Sequence, residues 1–251
     1  MATLSYHEQK DIENIKKLRE LQKELPSFCS DFFRGIETST STRTRIAYAY
    51  DLKIFFQFLK TANPGTFNNP AHTLTPADLE KLTVTDLEEY IDYLKCHPGE
   101  TSDDIVNTER GLMRKVSSLR SFYSYFFRNE QIEKNPAALV RMPKLHEKEI
   151  IRLEIDEVAK LLDEVEEGDK LTEKQKLYHE RTKVRDLAMM SLLLGTGIRV
   201  SECVGLNIND VDLDTCGARV YRKGGKESVI YFSDEVRDVL ENYLDEREMI
   251  D

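Results

Sequence analysis

Residues 195–232, GTGIRVSECVGLNINDVDLDTCGARVYRKGGKESVIYF, hold the change of pattern that decides the fold. Before them, apolar side chains recur at steps of three and four. After them, Gly217-Ala218-Arg219-Val220-Tyr221 and Ser228-Val229-Ile230-Tyr231-Phe232 are β-branched and aromatic runs on either side of Arg222-Lys223-Gly224-Gly225-Lys226. Two such runs about a Gly-Gly pair predict a β-hairpin. Gly195-Thr196-Gly197 closes an apolar helix over Val184 to Leu194, and Arg199 to Val204 reads as a further helical turn. Ser233 caps a last helix, Asp234 to Glu246.

Toward the N-terminus the helical steps dominate. Ile12, Ile15, Leu18, Leu21 and Leu25 predict a helix over 8–25, ended by Pro26. Thr38 to Thr44 supplies a cap for the next, which carries Ile46, Tyr48, Leu52, Phe55, Phe56 and Leu59 as far as Lys60. Asn63 to Pro76 has turn formers without a period and reads as a loop. Thr83 with Asp86 opens a helix over Val84 to Leu94, stopped at His97-Pro98-Gly99, and residues 104–129 form the longest helical pattern before Asn135-Pro136. No strand pattern interrupts them, so residues 1–141 are expected to form an all-α domain. Residues 142–150 are short, charged and proline-bearing, as a linker is. Residues 151–251 form a mixed domain that opens with a helix over Asp156 to Val165 and a charged loop over Glu166 to Lys176. The expected fold class is mainly α with a small β-hairpin or sheet.

With 251 residues, 40% hydrophobic and 33% charged, the chain is too apolar for disorder and too charged for a membrane protein. Neither a spanning apolar run nor a signal-peptide pattern is present, so a cytoplasmic location without membrane contact is expected. Cys29, Cys96, Cys203 and Cys216 stand far apart without CxxC. His7, His72, His97, His146 and His179 lack ligand spacing. No metal, disulfide framework or cofactor is expected, and no GxSxG or GxGxxG points to a hydrolase or a dinucleotide. The net charge of −10 argues against a generic polyanion binder. The acidity is local, however: residues 1–150 carry 22 acidic and 21 basic side chains, and residues 151–251 carry 24 and 15.

Two stretches of the first part have no acid at all. From Arg110 to Arg128 the chain holds Arg110, Arg114, Lys115, Arg120 and Arg128 among Phe122, Tyr123, Tyr125, Phe126 and Phe127. From Thr38 to Tyr50 it holds Arg43 and Arg45 among Ser and Thr hydroxyls. Arg110 and Arg114 share a helical face, and both stretches suit the repeated phosphates of a duplex. A solvated basic face and an ordinary capped helix are the bland readings. Arg199 emerges at a glycine turn where a phosphate-binding guanidinium could sit; its bland reading is a surface pair with Glu202. Lys223 precedes the Gly-Gly turn, with Lys226 on the returning strand as the competing groove contact. Both also fit a charged edge that discourages aggregation.

Further order is visible in Thr44, Tyr48, Asp51-Leu52, Phe55 and Phe58-Leu59, which follow TxxxYxxDLxxFxxFL. Ser117-Ser118-Leu119-Arg120-Ser121-Phe122-Tyr123, Asn135-Pro136 and Pro143-Lys144 continue it. Then come Arg185-Asp186, Thr196-Gly197-Ile198-Arg199-Val200-Ser201-Glu202, Gly205-Leu206, Asp210-Val211-Asp212 and Arg222-Lys223-Gly224-Gly225-Lys226-Glu227. From about Thr38 to Glu246 this succession resembles the tyrosine recombinase (phage integrase) family, most closely its Xer type. The resemblance implies an all-α, SAM-like DNA core-binding domain followed by the N-terminal part of an α+β catalytic domain. It implies that Arg199 is the first catalytic arginine, Glu202 its supporting acid and Lys223 the catalytic lysine. The implied activity is strand exchange between DNA duplexes through a 3′-phosphotyrosine, which conserves bond energy without metal or nucleotide.

On this reading double-stranded DNA is the partner, contacted through Arg43, Arg45, Arg110, Arg114, Lys115, Arg120 and Lys226. Self-association, as a tetramer on DNA in the complete protein, goes with it. The family's HxxR pair, a following His or Trp, and its Tyr nucleophile have no counterpart before Asp251, and Tyr231 and Tyr243 stand too near the hairpin to serve. A fragment or truncated form, inactive alone, is therefore expected. A noncatalytic DNA-binding protein and a helical interaction module on the same fold are the alternatives.

Overall fold

The helical steps near the N-terminus become α1 (Tyr6–Lys23) and α3 (Thr42–Ala62); between them Pro26 begins a turn into α2 (Cys29–Gly35), which the apolar pattern did not reveal. The computed structural model describes residues 6–69, 72–99, 103–146, 149, 151–222 and 226–248. Two compact units result, Met1–Lys148 and Glu149–Asp251.

In the first unit, side-chain caps start the helices where the sequence offers them. The Ser41 hydroxyl accepts from the Thr44 N–H at 3.2 Å, Thr83 and Asp86 form a reciprocal box at the head of α5 (Val84–Lys95), and Thr108 accepts from Gly111 at the head of α6 (Glu109–Arg128). The buried stripe of α3, including Leu52, Phe55, Phe56 and Leu59, belongs to one core with Val116, Leu119, Phe122, Tyr123 and Phe126 of α6. Phe122 is its hub, meeting Phe32 at 5.2 Å and Phe126 at 5.0 Å between ring centroids, both edge to face. The buried Tyr90 and Tyr123 hydroxyls donate to the carbonyls of Asp51 and Leu79.

Three expectations for this unit are corrected. Cys96–Pro98 (β1) pairs antiparallel with Asp104–Val106 (β2), so the unit is not strand-free, and the helix read from residue 104 starts at Glu109. Three-residue strands are too short to show a period, and the Thr108 cap sets the helix start. The stretch read as a loop after Asn63 also contains a single turn, α4 (Pro64–Phe67), with proline at its first position.

The second unit opens with α7 (Ile155–Glu167) and α8 (Glu173–Thr196). Helix α8 begins well before Val184, inside the segment read as a charged loop, because Thr172 and Gln175 cap it and its first turns are polar. After α9 (Val200–Cys203) come β3 (Val211–Asp212), β4 (Gly217–Arg222) and β5 (Lys226–Tyr231), an antiparallel sheet in the order β3-β4-β5, and then α10 (Asp234–Glu248). Ala218 and Val220 of β4 and Ile230 of β5 turn inward to a core with Ala188 and Leu192 of α8 and Val236 and Leu240 of α10. The fold is thus mostly helical with small antiparallel sheets. No helix among the described residues is long and apolar enough to cross a membrane.

Candidate phosphate site and nucleic-acid interface

In the second unit, α8 ends because Gly197 adopts φ +65°, its N–H bonding to the Leu193 carbonyl at 2.9 Å. A Cβ built there would meet nothing within 4 Å, so the left-handed backbone, not crowding, calls for glycine. The turn delivers Arg199 to the head of α9. Its Nη1 donates to Glu202 Oε1 at 2.7 Å and its backbone N–H to Glu202 Oε2 at 3.1 Å. The pair is asymmetric: the Glu202 side chain is 5% exposed and that of Arg199 69%.

The Arg199 backbone N–H holds the Glu202 carboxyl below its ordinary range against the opposing effect of burial, and the Arg199 and Arg222 guanidinium groups add to this. A buried, ionised carboxylate that caps α9 and grips one side of Arg199 leaves the Nε/Nη2 edge without a partner among the described residues. Those two parallel donors match a phosphate or a carboxylate. Arg222 was not singled out from the sequence, although its place in RKGGK was the available signal. Lys223, with Gly224 and Gly225, lies outside the described residues. Lys226 opens β5, is exposed, and stands opposite Arg222 in the sheet register.

In the first unit, the two acid-free stretches meet in one groove although they lie more than 60 residues apart in the chain. Arg43, Thr44, Ala47 and Tyr48 line it from α3, and Arg110, Met113, Arg114 and Ser117 from α6. Arg43 and Arg110 are exposed, with no ion-pair partner among the described residues. Arg114 donates through Nη1 to Asp51 Oδ2 at 2.5 Å and to the Ala47 carbonyl at 3.4 Å, and its side chain stays 45% exposed.

Of the other basic residues of these stretches, Arg128 is exposed at the end of α6 and donates through Nε to the Ser124 carbonyl at 3.2 Å, while three face inward. Arg45 is buried and paired with Glu37 at 2.7 Å, and Lys115 is buried with its Nζ 2.6 Å from Asn107 Oδ1. Arg120 donates to the carbonyls of Ala137, Ala138 and Val140, tying down the chain after α6. Arg45, Lys115 and Arg120 hold the unit together, and of the basic residues expected at phosphates in this unit Arg43, Arg110 and Arg114 are the ones that line the groove. Asp51 was quoted only as part of a motif, since the partner that explains it stands on another helix.

The chain matches the phage integrase family over residues 151–251. It is 32% identical to the tyrosine recombinase XerC of Caldanaerobacter subterraneus subsp. tengcongensis over 87% of this chain and 58% of that protein. To the tyrosine recombinase XerS of Streptococcus uberis it is 31% identical, over 93% of this chain and 71% of that one. It thus spans about three fifths of the length of most of these relatives. Among solved structures, a XerH site-specific recombinase bound to its difH substrate before cleavage shares the fold at TM-score 0.54 and 18% identity, over 83% of this chain and 53% of that one. A transposon integrase in complex with a circular intermediate DNA does so at 0.53 and 15%, over 87% and 65%. By these matches, the chain belongs to the tyrosine recombinase (phage integrase) family.

Proposed function

We propose that this chain is the DNA core-binding domain and the first part of the catalytic domain of a site-specific DNA recombinase. The complete protein would cleave and rejoin double-stranded DNA in the cytoplasm through a 3′-phosphotyrosine, as a tetramer on DNA. The observation that carries this reading is Arg199, held on one side by buried Glu202 at the glycine turn with its other donor edge unbonded among the described residues.

In that role the free edge binds two nonbridging oxygens of the scissile phosphate as negative charge builds on them. The tyrosine oxygen, supplied by a part of the complete protein beyond these motifs, gives up its proton to water and forms the bond to phosphorus as the bond to the 5′-oxygen breaks. Lys223 delivers the proton that the departing 5′-oxygen takes up. Glu202 contributes position and charge balance without touching DNA. Arg43, Arg110 and Arg114 contact flanking phosphates, and Lys226, on the returning strand of the hairpin, adds a further contact.

The test separates binding from chemistry. Arg199→Ala in the complete protein should leave duplex affinity nearly unchanged and slow cleavage by on the order of 100-fold or more. The double charge reversal Arg110→Glu with Arg114→Glu should weaken binding to every sequence and flatten its salt dependence. Normal cleavage by the Arg199 variant would remove the catalytic assignment, and unchanged salt-dependent binding by the double variant would remove the DNA groove.

A further inference from the structure

Beneath the groove lies an acid that the proposed DNA contacts do not use. Asp51 sits mid-way along α3, 2% exposed, with Oδ2 taking the Arg114 Nη1 donor. Its Oδ1 and the Ser118 hydroxyl of α6 are both buried, and neither has a hydrogen bond of good geometry among the described residues. The groups that face it are Arg114, Lys115 and Ser118 from α6, and Tyr90 from α5, whose hydroxyl reaches the Asp51 carbonyl. Asp11 and Lys17 of α1 engage α3 elsewhere, at Thr42 and Tyr50, and Glu24, just past α1, pairs with Lys53.

Burying a carboxylate is costly even when it is paired, and an apolar pair in place of both partners would hold the two helices together without that cost. Helix packing alone does not call for an acid here. What the pair does achieve is geometric: with Nη1 committed to Asp51 and Ala47, the long Arg114 side chain is held at the groove with its Nε/Nη2 edge unbonded among the described residues. Glu202 does the same for Arg199 in the other unit.

Resting on the DNA-groove reading above, we infer that Asp51 is the positioning residue of the groove, holding the Arg114 guanidinium so that its free donor edge meets a backbone phosphate. The ionised form is the one that works. Burial pushes the Asp51 carboxyl up to about 6, against the pull of Arg114 and Lys115. Protonation below that range therefore releases the grip, and the contribution of Arg114 to binding falls as pH falls through it. Tyr90 is pushed upward by burial and stays neutral throughout.

The experiment is a coupling measurement on the full chain, using a short labelled duplex of random sequence. Arg114→Gln should weaken binding about tenfold when residue 51 is Asp, and only about two- to threefold in an Asp51→Asn background. A charge-background or purely structural role for Asp51 leaves that factor unchanged. Where Asp51→Asn does not fold, pH replaces it: the ratio of Arg114→Gln to wild-type dissociation constants should shrink from about pH 7.5 to about pH 5, and histidine protonation cancels in the ratio. A ratio insensitive both to residue 51 and to pH, with Arg114→Gln still weakening binding, would overturn the role of Asp51 and leave the groove standing. Full affinity in Arg114→Gln and in Arg43→Gln with Arg110→Gln would overturn the groove itself, and Asp51 with it.

Discussion

The two units differ in how far each covers its own apolar surface. Among the described residues, twenty-eight buried hydrophobic residues form the core of the first unit and ten that of the second, although the second unit is more than two thirds as long. In the first, eight aromatic rings of one cluster pack edge to face or tilted, and every long helix contributes to the core. In the second, α7 buries no residue, while Ile151, Ile155, Val200 and Tyr231 are all more than 60% exposed. An apolar cavity of about 290 Å³ is lined by Met189, Leu192, Leu206, Leu240 and Tyr243. The first unit reads as a structure closed on itself. The second presents amphipathic elements whose apolar faces are only partly used, which favours further association.

The sharpest way to break this contrast is to remove one large side chain from each core and follow unfolding by calorimetry and denaturant titration. Phe122→Ala should cost the first unit about 3–5 kcal/mol, since five neighbouring rings lose a partner and cannot all relax inward. Leu192→Ala should cost the second about 2 kcal/mol, the low end for its type, because Leu192 already borders the cavity. Equal losses would mean that the second core is as tightly closed as the first.

Acid should also separate the units. Burial alone would raise the Asp78 carboxyl, but Lys81, the Thr75 N–H and His72 together bring it down to about 2. A depressed carboxyl stabilises the fold above its unfolded value, near 4, and that contribution is lost as pH falls toward about 2. Discounted for solvent screening, Asp78→Asn should cost the first unit about 1–2 kcal/mol at neutral pH and almost nothing at about pH 2. A constant cost across that range would assign Asp78 a packing role instead.

The smallest expected effect sharpens the second unit. Gly197→Ala should cost about 1 kcal/mol from its left-handed backbone alone, because the space around it is open. Its mark should be a disturbed Arg199, seen as a loss of cleavage in the complete protein out of proportion to the loss of stability. Unaltered melting and cleavage would show that the turn tolerates a side chain.

Much of this molecule was readable within a few residues of chain. The Ser41 and Thr83 caps, the glycine turn at Gly197 and the close of the hairpin about Gly224-Gly225 each depend on neighbours one to four positions away. So does the Arg199–Glu202 pair, at i and i+3, and a sequence displays that spacing directly. Elements without enough residues to show a period escaped: α2, α4 and the β1–β2 pair are each seven residues or fewer.

By itself, then, the sequence determined the helical unit followed by a hairpin-bearing one, the acid-free stretches, and the glycine turn that presents Arg199. Only the tertiary structure decided which basic residues of those stretches are available. Arg43 and Arg45 stand two positions apart, yet one is exposed and the other is buried against Glu37; Arg114 and Lys115 are adjacent, yet one lines the groove and the other turns to Asn107. Local periodicity says which residues share a helix face. Which face is covered depends on another helix arriving from more than 60 residues away, as α6 does when it meets Asp51.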